Sequence, residues 1–192
     1  MSVTTGTLSY PRLTDDNGSP QVTARVVVRP ATGLAVGVSG SHGAFVADRV
    51  RRELPAGLGA RQYPQRALGA DLEYSRDHWL IRSEAILTAW SLPAATPPPL
   101  DRATARSWLV EGRYTFLPQL YGAARYDRLW FGTIEGTAQR DTWDANVERV
   151  EAGLGYRVAR HVTVKASVQR VIRDGGRIRR ATLSAVQVVA WF

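Results

Sequence analysis

The chain has 192 residues, of which 44% are apolar, and a formal net charge of +8 at neutral pH. This length and apolar content suffice for one domain, and the absence of cysteine excludes disulfides and thiolate metal sites. Lys165 is the only lysine among 25 basic residues, and the arginines are spread along the chain. They are not massed on one helical face, which argues against a nucleic-acid-binding protein.

Alternation of apolar and polar residues with a period of two predicts an all-β protein. The predicted strands are 3–10, 21–29, 33–42, 67–75, 78–90, 104–116, 119–131, 145–158, 161–173 and 179–192. The only helical candidate runs from about Phe45 to Leu54, and its RRELPAG ending is more typical of a loop. No stretch approaches the roughly 20 apolar residues of a membrane helix.

The predicted connections alternate in length. Short connections are expected at Pro30–Thr32, Arg76–Asp77, Leu117–Pro118 and Ala159–Arg160, and long ones at 11–20, 43–66, 91–103 and 132–144, with 174–178 intermediate. Short periplasmic turns and longer external loops are typical of outer-membrane barrels. The sequence therefore predicts an antiparallel transmembrane β-barrel meander of about ten strands, with residues 1–192 forming a single β-barrel domain.

Within each strand, alternation separates an apolar face from a charged one. Aromatic residues of the apolar face fall into two groups: Tyr74, Trp79, Phe116, Tyr156 and Phe192 near the short turns, and Trp108, Tyr126 and Trp130 toward the long loops. Two aromatic girdles around an aliphatic band are expected at membrane interfaces. A soluble sandwich or lipocalin also has alternating strands, but its core gives no reason to sort rings by height.

The charged face predicts a pore lining. By parity it comprises Arg25, Arg29, Asp71, Glu73, Arg82, Glu84, Glu111, Arg113, Arg125, Asp127, Arg149, Glu151, Arg157 and Lys165. The hairpins can place Glu111 opposite Arg125, and Arg82 near Asp71 or Glu73, where opposite charges attract. The set is either a net-positive wall that favours anions or a polar lumen whose charges merely satisfy one another.

Four arginines share the lipid-facing parity near the long loops: Arg106, Arg128, Arg170 and Arg180. Arginine costs little near a membrane interface, whereas at the midplane it costs about 2–4 kcal/mol. We therefore expect a lipid rim in which guanidinium groups bind lipopolysaccharide phosphates. The alternatives are simple snorkelling and pairing with Glu148, which shares the parity.

The C-terminal strand, RRATLSAVQVVAWF, ends on an aromatic residue. It resembles the last strand of bacterial outer-membrane barrels, and VERVEAGLGYRVARHVTVKASVQRVIRDGGR is similar to the C-terminal strands of Gram-negative porins. QVTARVVVRPATGLAVGVSGSHGAF resembles a strand–turn–strand unit of the phosphate-selective and related specific porins. The resemblance implies location in the bacterial outer membrane, passive diffusion of small polar solutes, and Phe192 as an assembly signal read by the barrel assembly machinery. No phosphate-site motif of that family maps onto this sequence.

The histidines and two glycines of the chain carry no recognisable catalytic or nucleotide-binding motif. We expect no enzymatic activity, metal or cofactor, because His42, His78 and His161 lie in no recognisable metal or hydrolase spacing. Gly153 and Gly155 precede no helix, so they are expected to make room for large neighbours or to curve the strand.

A closed barrel of about eight strands is filled by its own side chains. An open pore would therefore need additional N-terminal strands or self-association. The chain is then the C-terminal portion of a larger barrel, preceded by an export signal, or a homo-oligomer. The remaining alternatives are a small closed barrel with a plugged lumen and a structural or adhesive role, and a lipid-modifying barrel enzyme using His161, Thr163 and Ser167.

Overall fold

A computed structural model describes residues 1–5, 19–47, 54, 57–92, 102–135 and 140–191. Ten strands form one antiparallel sheet in sequence order: β1 (Ser2–Thr5), β2 (Pro20–Ala31), β3 (Leu34–Ala44), β4 (Pro64–Arg76), β5 (Trp79–Ser91), β6 (Arg102–Leu117), β7 (Leu120–Phe131), β10 (Val147–Ala159), β11 (Val162–Arg173) and β12 (Arg180–Ala190). The predicted all-β antiparallel meander is confirmed.

The described parts of the connections contain a short hairpin and a 3-10 turn. Strands β8 (Thr133–Glu135) and β9 (Arg140–Thr142) form a separate hairpin between β7 and β10, within the predicted long loop 132–144. A 3-10 turn, Ala60–Gln62, precedes β4. Residues 45–47 and 54 of the helical candidate are not helical, and its other residues lie outside the described ones. In the described ranges, no helix is long and apolar enough to cross a bilayer.

The tight turns lie one or two residues later than predicted. Two-residue connections separate β2 from β3, β4 from β5, β6 from β7 and β10 from β11. Gly33 and Asp77 adopt positive φ angles of 79° and 54° in the first two, a conformation that Gly and Asp tolerate best. Pro30 continues β2 because the register shifts between Val28 and Ala31, and a bulge is where a strand accommodates proline.

The sheet exposes its apolar side chains and partly shields its charged ones, the reverse of the pattern in a soluble protein. On the apolar face, Leu68, Leu154 and Val186 are 64%, 58% and 75% exposed. On the charged face, the side chains of Asp71 and Asp127 are only 29% and 22% exposed. Large exposed apolar surfaces mark interaction with a membrane or another protein, so the sheet is organised to place its apolar face against such an environment.

Apart from Gly37 and Gly155, the few buried residues that the structure describes lie at the long-loop end. Ala44, Val46, Ala60 and Tyr63 form a small cluster that seats the connection between β3 and β4 on the end of the sheet. No large side chain among the described residues is less than 2% exposed. The sheet is thus a single layer without a closed hydrophobic core of its own.

Candidate functional site: the charged face of the sheet

Five charged residues of alternating sign lie in one row across five neighbouring strands. The register pairs Glu73 with Arg82, Arg82 with Glu111, Glu111 with Arg125, and Arg125 with Glu151. We call this set the charge row. The predicted opposition of Glu111 and Arg125 is present, and opposed unlike charges stabilise a sheet.

Arg82 connects the first three members of the charge row. Its Nε donates to Glu73 Oε2 at 2.8 Å, and its Nη1 donates to Glu111 Oε1 at 3.4 Å. The sequence left Asp71 or Glu73 open as the partner, and the structure selects Glu73. All three side chains are about one-third to one-half exposed, so these bridges orient the arginine more than they stabilise the sheet.

Among the carboxylates that form ion pairs on this face, Asp127 has the least exposed side chain, at 22%. Its Oδ2 accepts from Arg125 Nε at 3.0 Å and from Arg149 Nε at 2.8 Å. On the same face, toward the N-terminal strands, Arg25 Nη2 donates to Asp71 Oδ2 at 2.7 Å. A Cβ on Gly37 would approach the carboxylate of Asp71 closely, so the glycine leaves room for that group.

The remaining predicted pore-lining residues are distributed unevenly. Glu84 shares the face but makes no ion pair with any described residue. Arg29 lies in the irregular segment between Val28 and Ala31, outside the regular pairing. From β6 to β12, on the short-turn side of the charge row, the described inward positions carry Arg113, Lys165 and Arg157 and no carboxylate.

Tyr121 is a site residue that the sequence analysis missed. The guanidinium carbon of Arg113 lies 3.9 Å from the centroid of its ring, a cation–π contact. The ring lies over buried Gly155, where a Cβ would overlap it, so this glycine makes the expected room for a large neighbour. The contact between Tyr121 and Gly155 depends on how β7 pairs with β10. The connection between these strands is long and does not fix their register.

A cleft of about 560 Å³ lies on this part of the charged face. Arg113 and Tyr121 line one side, and Lys165 and Gln187 line the other. Arg82, Glu111, Arg125, Glu151 and Ser167 also contribute to its wall. The arrangement can hold an anion beside a shallow polar surface.

The opposite face carries the two aromatic groups. Near the short turns, Trp79 packs on Tyr114 at 4.7 Å, and Tyr114 on Phe116 at 5.1 Å between ring centroids. Trp108 packs on Tyr126 at 5.9 Å and lies six residues from Tyr114 on β6, about 20 Å along the strand. This separation approaches the roughly 25 Å apolar band of an outer-membrane barrel.

A serine on the apolar face has its hydrogen bonds satisfied locally. Trp108 Nε1 donates to Ser83 Oγ at 3.0 Å, and Ser83 Oγ donates to the carbonyl oxygen of Leu109 at 3.1 Å. Polar groups that face lipid must be paired within the protein, because hydrocarbon offers no partner. The pairing is therefore compatible with a lipid-facing surface.

The four predicted rim arginines occupy three adjacent rows of that apolar face. Arg106 pairs in register with Trp130, and Arg128 lies over the Trp130 ring at 5.0 Å. Glu148 is the register partner of Arg128. The rim residues on the later strands are Arg170, opposite Val150 and Thr182, and Arg180, opposite Ile172.

Phe192, the predicted assembly signal, lies outside the described residues. Its neighbour Trp191 is 47% exposed and donates its backbone N–H to the carbonyl oxygen of His161 at 3.1 Å. In the part of the chain that the structure describes, no group of three or more His, Asp or Glu residues could hold a metal ion.

Comparison with known proteins identifies the fold. No protein-family model matches the chain, and no curated protein sequence does. Among solved structures, it is similar to OmpTdeltaL8, a loop L8 deletion mutant of the outer membrane protein OmpT of Vibrio cholerae, with a TM-score of 0.60 and 16% sequence identity. The match covers 90% of this chain and 54% of the other, so the chain spans about half of that protein's length. The fold is that of an outer-membrane β-barrel protein and is typical of the bacterial outer membrane, as predicted.

Proposed function

We propose that the sheet forms part of the wall of an outer-membrane channel for passive diffusion of small polar solutes, with a preference for anions. The observation that carries the proposal is the reversed exposure of the two faces. Apolar residues such as Leu154 and Val186 are more exposed than the carboxylates of Asp71 and Asp127. This pattern suits a layer between lipid and a water-filled lumen.

The open ladder favours a wide channel over a plugged one. In the described part of the chain, β1 pairs only with β2 and β12 only with β11, whereas strands in a membrane must close into a barrel. Further strands, from a longer chain or another copy, would complete the wall. The similar Vibrio cholerae chain is about twice as long as the part matched here. A small closed barrel with a filled lumen is less well supported.

The anion preference comes from cations that lack carboxylate partners. Arg82, Arg125 and Arg149 are engaged in ion pairs, but Arg113 and Lys165 form none with the described residues. A wall with excess positive charge raises the local concentration of anions. The resemblance to specific porins agrees with a channel that selects among small solutes, and we assign no catalytic role to the chain.

Conductance across a planar bilayer tests this proposal. We expect the membrane-inserted protein to give steady, anion-selective conductance, and Arg113→Glu to shift the reversal potential toward cations. Reversing Arg125 or Arg149 should act in the same direction but less, because both already face Asp127. Arg76→Glu, on the apolar-face parity, is the control and should leave selectivity unchanged. Inserted protein without conductance would contradict the proposal.

A further inference from the structure

The short-turn side of the charge row has the electrostatics of an anion site. Four cationic and two carboxylate side chains line the cleft there. Arg82 and Arg125 are tied to carboxylates, whereas Arg113 and Lys165 form no ion pair with any described residue. Two such cations on opposite walls of one cleft attract an anion into the space between them.

Arg113 is held in place before any ligand arrives. Its guanidinium stacks on Tyr121, and the ring in turn rests over Gly155. Stacking fixes the plane of the guanidinium and leaves its N–H edges free to donate to an oxyanion. A preorganised donor loses less conformational entropy on binding than a mobile one.

The floor of the cleft suits a flat organic group. Ala123, Gly153 and Ala185 lie along one row of the charged face and present little or no side chain. Ser167, from the same row, and Gln187, beside Lys165, add neutral hydrogen-bonding groups. The floor is thus weakly polar, while both of its sides are cationic.

We propose that this cleft is a binding site for a small organic oxyanion, a carboxylate or a phosphate ester. Its charged group lies between Arg113 and Lys165, and its flat body lies over Ala123, Gly153 and Ala185. This assignment rests on the proposed function, because the channel is the path by which the solute reaches the cleft. It names the class of solute that the channel retains.

Equilibrium binding to the purified full chain in detergent micelles tests the site. Benzoate is the carboxylate probe, and inorganic phosphate is the phosphate probe. We expect saturable benzoate binding that Arg113→Gln or Lys165→Gln weakens by about tenfold, the loss of one charge-assisted hydrogen bond. Tyr121→Leu should also weaken binding, because Arg113 loses its platform. Arg76→Gln is the matched control and should not weaken it. Arg113→Lys should restore part of the affinity, which separates loss of charge from misfolding.

The outcomes distinguish the ligand and the two proposals. Tighter binding of phosphate than of benzoate assigns the site to phosphate-bearing solutes, and the reverse assigns it to carboxylates. Absence of saturable binding of both probes, or equal weakening by Arg76→Gln, would overturn the site. Saturable binding by a protein that does not conduct would instead overturn the channel and leave the site standing.

Discussion

Asp127 is the residue whose single replacement should matter most to the charged face. One oxygen accepts from two arginines, and the Arg125 and Arg149 side chains are about one-third exposed. Removing the shared negative charge leaves two partly shielded cations facing each other, and like charges that face each other destabilise a sheet. The carboxylate therefore holds two neighbouring strands together as well as balancing charge.

We expect Asp127→Asn to lower the free energy of unfolding by about 1–2 kcal/mol, as estimated for hydrogen bonds to partly exposed charged groups. Denaturant unfolding in micelles, followed by tryptophan fluorescence, measures the change. Asp77→Asn is the matched control. The Arg76–Asp77 pair is exposed, with a distance of 3.7 Å, and Asn tolerates the positive φ at this position. Equal losses for both variants would show that Asp127 has no special role.

At the scale of the strands, hairpin turns decide how much of the site the sequence can predict. Turn position limits the register, so the sequence could place Glu111 opposite Arg125 and Arg82 near Asp71 or Glu73. The choice of Glu73 depends on a turn one residue later than predicted. The opposition of Glu111 and Arg125 depends on a register shift between Thr115 and Leu117. Asp127 meets Arg149, and Tyr121 meets Gly155, across β7 and β10. The connection between these strands contains its own hairpin, and its length gives no register. These contacts could not be predicted from local sequence.

The four outward arginines lie on four strands of the sheet, β6, β7, β11 and β12. If Arg106, Arg128, Arg170 and Arg180 bind lipopolysaccharide phosphates, replacing all four with Gln should reduce lipopolysaccharide co-purification. It should also lower thermal stability in lipopolysaccharide but not in plain detergent. Replacing Arg76 and Arg160, near the short turns, is the control and should change neither. Equal loss of stability in both media would mean that the four arginines serve packing within the sheet.

At the scale of the whole molecule, stability depends on the environment of the sheet. The described residues form one layer with an exposed apolar face, so lipid must supply the contacts that a second layer supplies in a soluble domain. The alternation that exposes this face was readable from the sequence, because the side-chain period of a strand is two. Within the described ranges β1 and β12 do not pair with each other. This open ladder was not readable from the sequence, since closure depends on contacts between distant strands.

Insertion of this layer should depend on the C-terminal aromatic residue. We expect Phe192→Asp to reduce the yield in outer membranes strongly, because the assembly machinery would no longer recognise the terminal strand. Trp191→Leu should reduce the yield much less, since Trp191 lies on the opposite parity. Quantitative immunoblotting of outer-membrane fractions measures both variants. Similar yields for the two would show that the signal is misassigned.

The two-faced character of the sheet is tested most directly by single-cysteine labelling, for which this cysteine-free chain is a clean background. Each variant carries one cysteine, and neighbouring positions place the thiol on opposite faces of the sheet. The pairs of variants are Val150→Cys and Glu151→Cys on β10, and Val168→Cys and Gln169→Cys on β11. With the protein in membranes, a membrane-impermeant maleimide should modify the cysteines at 151 and 169 rapidly and those at 150 and 168 hardly at all. Labelling at 150 and 168 that equals or exceeds labelling at 151 and 169 would contradict a lipid-facing apolar surface and an aqueous charged one.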